Sequence, residues 1–346
     1  ENERKNVGVG DVTTLGKNDI KGPDSAEILN RVYTNAWLKL PVGKARYGLM
    51  LREDGMLLDD GTTTRISENH YHMTTTTAQA ANVLTHLEYY LQVVWPELKV
   101  NVVSSTEQWA GAAIAGPKSR DLLSKLLPTE DVTNDGFAFM QYKEVDFFGV
   151  KARLFRISFS GELAYEINVP SDSGLLMWEK IIEVGKNFNL QPYGTEALST
   201  LRIEMGHVAG PELDGRTIPS DLSLDGMISK KKDFIGKRSL SKKDFIKPER
   251  QKIVGIVPVD KKTSIPEGSH LVNDKNFKLP AKKLGHVSSS CWSVEYNNPY
   301  SLAIVTDGKT VIGKKLFAVA PLKSSSIEVE VVSSHYVDPK GERVRS

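Results

Sequence analysis

Two adjacent carboxylates, Asp59 and Asp60, follow the apolar stretch GMLL and precede the polar stretch GTTTR. A carboxylate inside a pocket can accept a proton or stabilise a developing positive charge. Because neighbouring residues of a β-strand point to opposite faces, only one of the two can enter a pocket, while the other stays at the surface or caps a turn. The residue types alone favour the alternative, a carboxylate pair in a turn without a catalytic role.

A second acidic group lies in the stretch SFSGELAYEINVP. On a strand, the even spacing of Glu162 and Glu166 places both carboxylates on one face and leaves Tyr165 on the other. The alternative interpretation is an exposed edge strand with solvated acidic side chains.

Two glycine-containing stretches fall short of nucleotide-binding motifs. Gly8 and Gly10 begin a pattern like the dinucleotide fingerprint, but Thr13 follows where the motif needs glycine and no strand precedes it. We therefore predict a turn there. A phosphate-loop pattern that ends in GKT has Ala303 in place of its first glycine, and a hairpin turn at 307–308 explains that stretch better.

Two further patterns lack the residues that their chemistry needs. Glu68, His70 and His72 lie on one side of a predicted strand and could bind a metal, but without a further ligand a solvated polar face is the better interpretation. Ser160 lacks the leading glycine of a nucleophile elbow, since Ser158 stands there. We predict no metal site and no serine nucleophile.

Composition narrows the class of protein. The 346 residues include 45 basic and 43 acidic ones, a balance that argues against a nucleic-acid-binding protein. The single cysteine, Cys291, excludes an internal disulfide framework and fits a reducing compartment, so the cytoplasm is expected. No apolar run is long enough to span a bilayer, and no membrane association is predicted. The polar start ENERKNVG has neither the order of a signal peptide nor an initiator methionine, which suggests a segment of a longer protein.

Hydrophobic periodicity predicts a mixture of helices and strands. The stretches GPDSAEILNRV and GPKSRDLLSKLL are similar enough to indicate an internal duplication, each a Gly-Pro turn that opens an amphipathic helix. Short alternating stretches near the carboxy terminus predict a small β-barrel. The other predicted elements are strands at GLML, GMLLDD, YHMTTTT and on both sides of Ser160-Gly161, helices at 78–95, 174–185 and about 195–205, and a lysine-rich linker at 230–250.

Four stretches in order along the chain carry a resemblance to the glycine-cleavage T-protein (aminomethyltransferase) family. They are YGLMLREDGMLLDDG, SFSGELAYEINVP, LRIEMG with TIPSDLSLD, and GHVSSSCWSVEYNNPYSLAIV. Other stretches resemble the carboxy-terminal half of the alpha subunits of heterotetrameric sarcosine oxidases, namely TTTTAQAANVL, TEQWAG, PYGTEA, KKKDFIGKRSL and YVDPKGER. The resemblance covers nearly the whole chain.

The resemblance implies an α+β fold, a three-domain cloverleaf of the T-protein type with a carboxy-terminal β-barrel. The expected domains are a tetrahydrofolate-binding region at 1–245 and the barrel at 246–346. Within the first, two interleaved subdomains are expected, roughly 1–18 plus 115–245, and 19–114.

The same resemblance implies roles for individual residues. Asp60 is the implied catalytic carboxylate, and Glu166 is implied to bind the amino group and ring nitrogen of the folate pterin. Tyr47 corresponds to an aromatic residue of the pocket wall.

Thr76, Phe159 and Arg202 complete the implied cofactor-binding residues. Two positions depart from the family, because Phe159 replaces a tyrosine and Leu198 replaces an arginine that many members use toward the folate tail. Arg202 is a weak substitute for that arginine, since its role in the family looks structural.

The implied function is a tetrahydrofolate-dependent one-carbon transfer that accepts the imine of oxidised sarcosine or a related methylated amine and forms 5,10-methylenetetrahydrofolate. Because the chain has no flavin or nicotinamide fingerprint, oxidation is expected on partner flavoprotein subunits or on regions outside this sequence. One alternative is a free-standing aminomethyltransferase or folate-dependent demethylase. Another is a folate-binding module for iron–sulfur assembly, but the corresponding stretch KKKDFIGKR lacks the cysteine of that group's signature.

Overall fold

The computed structural model describes residues 1–275 and 282–346. The described residues form two compact units. The first unit consists of Glu1–Gly194, Met227–Lys237 and Gly341–Ser346, and the second consists of Thr195–Gly226 and Arg238–Lys340. The subdomain boundaries given above stay a prediction.

Two β-sheets form the framework of the first unit. Their strands are β1 (Val7–Asp11), β2 (Gly16–Lys21), β3 (Ala45–Leu51), β4 (Leu57–Ser67), β5 (His70–Thr75), β6 (Asn101–Ser104), β7 (Trp109–Ala115), β8 (Tyr142–Phe147), β9 (Val150–Phe155), β10 (Ala164–Pro170) and β11 (Leu190–Pro192). The six-stranded sheet has the order β11-β1-β7-β10-β9-β8, and the five-stranded sheet has the order β3-β4-β5-β2-β6. The three strands predicted from GLML, GMLLDD and YHMTTTT are confirmed as β3, β4 and β5.

Helices cover one face of each sheet. They are α2 (Ser25–Val32), α3 (Ala80–Tyr89), α4 (Ser119–Leu126) and α5 (Gly174–Gly185), while the short helix α1 (Asn2–Lys5) precedes β1. Leu122 of α4 and Ile181 of α5 pack on Ile114 and Ile167 of the six-stranded sheet. Side chains of α2 and α3 pack in the same way on Ile20, Met50, Tyr71 and Met73 of the five-stranded sheet. The opposite face of each sheet carries polar residues together with a smaller apolar cluster that includes Ala45 and Phe155.

The proposed duplication is visible in α2 and α4, which begin at equivalent positions of the two similar stretches. Gly22 and Gly116 precede them with φ of 139° and 126°, a region that favours glycine. A Cβ at Gly22 would lie 2.1 Å from the Lys99 carbonyl oxygen, and one at Gly116 would lie 2.5 Å from the Asn6 carbonyl oxygen. Both turns therefore require glycine.

The helix predicted at 78–95 is shorter than expected. Regular α-helix ends at Tyr89, and Tyr90–Val94 form a π-helical turn before Trp95 and Pro96. The helix predicted at 174–185 is confirmed, because α5 begins at Gly174 and ends at Gly185.

The second unit contains α6 (Thr195–Met205) and a closed barrel. The barrel strands are β12 (Gln251–Pro258), β13 (His270–Val272), β14 (Gly285–Ser293), β15 (Asn298–Thr306), β16 (Lys315–Ala320) and β17 (Ser325–Val332). In β17, Ile327, Val329 and Val331 are buried while the residues between them are exposed. The hairpin predicted at 307–308 is wrong, because β15 pairs with β12 and β14, and Gly308–Val311 form a 3-10 helix.

No helix in the described ranges combines the length and hydropathy needed to cross a bilayer.

Candidate functional site

Asp60 lies on the polar face of the five-stranded sheet. The Tyr47 hydroxyl on the neighbouring strand β3 donates a hydrogen bond of 2.6 Å to Asp60 Oδ2. Tyr47 is opposite Thr62, the Thr62 and Thr74 hydroxyls are 2.8 Å apart, and Thr74 is opposite Lys17. A row of polar side chains therefore crosses four strands beside Asp60.

Burial determines the protonation of Asp60 and Tyr47. It raises the pKa of Asp60, although the hydrogen bond from Tyr47 opposes the shift. Burial, together with the charge of Asp60, raises the pKa of Tyr47 well above its ordinary value. Tyr47 therefore remains a hydrogen-bond donor, and Asp60 is a more basic carboxylate than a solvated aspartate.

Asp59 lies on the opposite face of β4, as strand alternation predicts. It is not at the surface and does not cap a turn, so that part of the prediction is wrong. Because β4 continues through both aspartates, the Asp59 side chain lies on the face of the sheet that carries the core. Its exposed fraction is 3%. Its Oδ2 accepts a 3.2 Å hydrogen bond from the Thr76 backbone N–H, and its Oδ1 is buried without a partner among the described residues. Burial raises the pKa of Asp59 to about 7.

The raised pKa of Asp59 makes stability depend on pH. Between about pH 4 and pH 7 the folded chain holds a proton that the unfolded chain has released, so the unfolding free energy falls as pH rises through this window. The shift corresponds to a loss of up to about 4 kcal/mol. We expect the decline to be shallower in the Asp59→Asn variant than in the wild type, because Glu166, whose pKa is also raised to about 7, still contributes to it. Denaturant unfolding at pH 5 and pH 8 tests this, and an equally steep decline in the variant would contradict it.

Glu166 lies on the face of the six-stranded sheet opposite its core. In β10 it is paired with Ala113 of β7 and Phe155 of β9, and Ala113 is paired with Gly10 of β1. Burial raises the pKa of Glu166 to about 7, while the Lys17 ammonium opposes the shift. Among the described residues no donor is hydrogen-bonded to its carboxylate. The carboxylate is therefore available to a ligand.

Glu162 does not share a strand face with Glu166, which corrects the prediction. Strand β10 begins only at Ala164, after a turn in which Gly161 has a φ of 83°. Glu162 Oε1 accepts hydrogen bonds from Arg4 at 2.7 Å and Arg343 at 2.8 Å. The edge-strand alternative is also wrong, because β10 pairs with strands on both sides.

A buried polar junction joins the two sheets of the first unit. Asp19 Oδ1 is 2.9 Å from His72 Nδ1 and 3.4 Å from the Arg153 guanidinium, which lies 4.0 Å from the Trp109 ring centroid. His72 is 1% exposed, so the predicted solvated face is wrong. Because Asp19 and His72 belong to the five-stranded sheet and Arg153 to the six-stranded one, the polar faces of the two sheets meet at this junction.

Lys17 is a residue of this site that the sequence interpretation missed. Its ammonium donates to the carbonyl oxygens of Thr13 at 2.7 Å and Leu15 at 3.1 Å. Lys17 is 1% exposed, and burial lowers its pKa, while the charge of Glu166 opposes that shift. The available signal was a lysine within the short strand GKNDIK.

The remaining predicted binding residues lie in different settings. Thr76 contacts Asp59 rather than Asp60. Phe159 is 42% exposed in the turn before β10. Arg202 belongs to the second unit, where it donates to Glu212 at 2.8 Å and to the Ser289 hydroxyl at 2.7 Å. Leu198, also in the second unit, is partly exposed.

Comparisons with known proteins agree with this architecture. Residues 1–232 match the family model of the GCVT N-terminal domain. The chain is 46% identical over 346 residues to sarcosine oxidase subunit alpha of Rhizobium meliloti (strain 1021), a match that covers 99% of this chain and 35% of the relative. It thus spans about a third of that relative's length. It is 30% identical to an aminomethyltransferase of Chloroherpeton thalassium (strain ATCC 35110 / GB-78), over 91% of this chain and 83% of the relative.

The fold is also similar to a solved structure. The glycine cleavage system aminomethyltransferase T of Bartonella henselae superposes with a TM-score of 0.82 at 22% identity, over 97% of this chain and 88% of that one. This similarity and the closed six-stranded barrel confirm the predicted α+β fold class.

Proposed function

Because the chain belongs to the GCVT N-terminal domain family, as its resemblance to aminomethyltransferases predicted, we propose that it is an enzyme that transfers a one-carbon unit to tetrahydrofolate. The proposed donor is the imine of oxidised sarcosine or of a related methylated amine, and the proposed product is 5,10-methylenetetrahydrofolate. The proposal rests on one observation above all. Two carboxyl groups with raised pKa, Asp60 and Glu166, lie on the polar faces of two sheets that meet at a buried junction.

The residues present fit a folate pterin. A pterin offers neighbouring N–H donors on a flat, uncharged ring system, and such a group needs a carboxylate acceptor and an aromatic wall. The Glu166 carboxylate accepts no hydrogen bond from residues 1–275 or 282–346, and Tyr47 supplies an aromatic ring beside Asp60. Glu166, Tyr47 and Asp60 would therefore hold the ring, with the reacting nitrogens toward Asp60.

Glu166 and Asp60 have different roles in the proposed reaction. Bound tetrahydrofolate would supply a nitrogen nucleophile that forms a bond to the imine carbon. The bond from that carbon to the donor nitrogen would then break, the amine would leave, and the second folate nitrogen would close the methylene bridge with loss of a proton. Glu166 orients the ring by accepting its N–H groups. Asp60 stabilises positive charge beside the reacting nitrogens and accepts the proton that leaves. Tyr47 fixes the Asp60 carboxylate through Oδ2, so the orientation of the acceptor is set before the reaction.

We propose that the oxidation that produces the imine takes place outside this chain. The sequence has no dinucleotide fingerprint, and the chain spans only 35% of the sarcosine oxidase alpha subunit that it matches. We infer that flavin and nicotinamide are held by other regions of the same protein or by flavoprotein partner subunits. The proposed location is the cytoplasm.

Ligand binding by the purified chain tests the function directly. We expect a colourless protein that binds tetrahydrofolate in calorimetry, does not bind flavin or nicotinamide, and speeds the condensation of tetrahydrofolate with formaldehyde. The Asp60→Asn variant is the matched control for background condensation. A chain that carries stoichiometric flavin, or that leaves the condensation at the uncatalysed rate, would contradict the proposal.

Part of the lysine-rich stretch packs against the first unit, which corrects the prediction of a solvated linker for that part. Lys232 donates to the backbone carbonyls of Asn30 and Tyr33, and Lys237 donates to the carbonyl of Lys232. Burial lowers the pKa of Lys232 to about 8. The stretch Met227–Lys237 is therefore a docked part of the first unit.

The exposed lysines of this stretch remain candidates for binding the anionic folate tail. Lys230 and Lys231 are exposed, as are Lys242 and Lys243 of the second unit. We expect affinity to rise from monoglutamyl to triglutamyl tetrahydrofolate, and the gain to shrink as salt screens the charges. Replacing Lys230 and Lys231 with alanine should reduce the gain, whereas Lys125→Ala, on the surface of α4, should not. A gain that is independent of salt, or no gain, would contradict tail binding.

A further inference from the structure

Gly8 and Gly10 have a role that the sequence pattern did not predict. They lie within strand β1 and not in a turn, and both face away from the core side of the six-stranded sheet. A Cβ on Gly8 would lie 2.6 Å from Tyr193 Cδ1, and one on Gly10 would lie 2.8 Å from Tyr193 Cε2. Real Cβ atoms do not approach a ring this closely, so the Tyr193 ring lies directly on the glycine backbone of β1.

The backbone fixes Tyr193 in this position. Strand β11 pairs in parallel with β1, and the N–H of Tyr193 extends this pairing by donating to the Val9 carbonyl at 2.9 Å. The ring is partly buried, and its hydroxyl makes no hydrogen bond within the described ranges. Burial raises the pKa of Tyr193, and the charges of Glu3 and Glu166 add to the shift. The hydroxyl therefore stays protonated and is available as a donor.

Tyr193 and Glu166 flank a strip of small residues on the same sheet face. Gly10, Ala113 and Glu166 are paired in one row across β1, β7 and β10. Neighbouring strands are about 4.8 Å apart, so β1 and β10 are separated by about 10 Å. On β7, the strand between them, this face carries the methyl groups of Ala113 and Ala115, while the Asn168 side chain lies over Gly111, where a Cβ would be 2.6 Å from Asn168 Oδ1. A flat ring can lie over β7 with the Tyr193 ring at one side and the Glu166 carboxylate at the other.

We propose that Tyr193 is a ligand-contacting residue, the second aromatic wall of the slot in which the Glu166 carboxylate holds the pterin ring, and that its hydroxyl donates to the bound ligand. This inference rests on the proposed function. Under this proposal, Gly8 and Gly10 are required because only residues without a Cβ let the Tyr193 ring lie on the backbone of β1.

Tetrahydrofolate affinity of the full chain tests the proposal. Stacking on an aromatic side chain and a neutral hydrogen bond set the expected scale. We expect Tyr193→Leu to raise the Kd about tenfold or more, and Tyr193→Phe to raise it about three- to tenfold. Tyr193→Phe keeps the ring on β1, so its Tm should change little, and the Tm of Tyr193→Leu is measured to separate a lost ligand contact from a loss of fold. Tyr89→Leu, an exposed tyrosine of α3, is the matched control and should bind like the wild type.

A double-mutant cycle of Gly10 and Tyr193 separates the loss of the ligand contact from a general loss of structure. Gly10→Ala pushes the ring off β1, so it should weaken binding in the wild type but add little in the Tyr193→Leu background. Additive effects of the two substitutions would contradict the assignment. If Tyr193→Leu and Tyr193→Phe bind as the wild type does, the inference alone is overturned. If the wild type binds no tetrahydrofolate, the proposed function is overturned and this inference with it.

Discussion

Replacing Asp60 with asparagine should lower the rate of folate condensation by about 10²–10⁴-fold while the Kd for tetrahydrofolate stays nearly unchanged. Asparagine keeps the size of the side chain and can still accept the Tyr47 hydrogen bond. It removes the negative charge that stabilises the cationic intermediate and the group that accepts the proton. The measurement is single-turnover condensation of tetrahydrofolate with formaldehyde or a supplied imine, beside calorimetric titration of the same protein.

Asp59→Asn is the control that the chain itself offers for this experiment. The two aspartates are adjacent in β4, where Asp59 is buried and Asp60 is partly buried, and they lie on opposite faces of the sheet. Asp59→Asn should therefore leave the condensation rate within about threefold of the wild type, because its carboxylate contacts the Thr76 backbone on the core side. A larger rate loss at Asp59 than at Asp60 would place the reacting atoms on the other face of β4.

The pH dependence of the rate adds a second readout for Asp60. Its pKa is raised by burial, and only the ionised form accepts a proton. The rate at saturating folate should therefore fall as pH drops through that pKa, and the Asp60→Asn variant should lack this limb. A low-pH limb that persists in the variant would assign the titration to another group.

Local sequence signals predicted helices α2 to α6 and several of the strands, including β3, β4 and β5. The bounds of α5 follow from apolar residues at helical spacing between Gly174 and Gly185. The end of α3 could not be predicted in this way, because Val93 and Val94 continue the apolar pattern while the backbone changes to a π-helical turn. The turn at 307–308 was misassigned because strand pairing in the barrel depends on distant strands, which a hairpin signal does not report.

The site was predictable only where strand alternation or family resemblance applied. Alternation placed Asp59 and Asp60 on opposite faces, but the sequence did not indicate that the face away from Asp60 is the buried core. His72 was misassigned because its partners, Asp19 and Arg153, are 53 and 81 positions away along the chain. Tyr193 was missed for the same reason, since its contact with Gly8 depends on the parallel pairing of β1 with β11.

Replacing Glu166 with alanine should weaken tetrahydrofolate binding by about 10- to 150-fold, the range for a hydrogen bond to a charged group. The effect should depend on pH in the wild type. The pKa of Glu166 in the free chain is about 7, and a ligand that donates N–H groups favours the ionised carboxylate. Binding should therefore release a proton, and affinity should fall as pH drops below about 7.

Calorimetry in two buffers of different ionisation enthalpy measures that proton directly. At pH 6.5 the wild type should show net proton release on binding, whereas Glu166→Gln should show much less and should bind with a Kd that changes little with pH. Glu183→Gln, an exposed glutamate of α5, should keep both the affinity and the proton release of the wild type. An unchanged Kd in Glu166→Ala would remove Glu166 from the site. Weak binding with undiminished proton release in Glu166→Gln would assign the proton to another of the groups with raised pKa, such as Asp60.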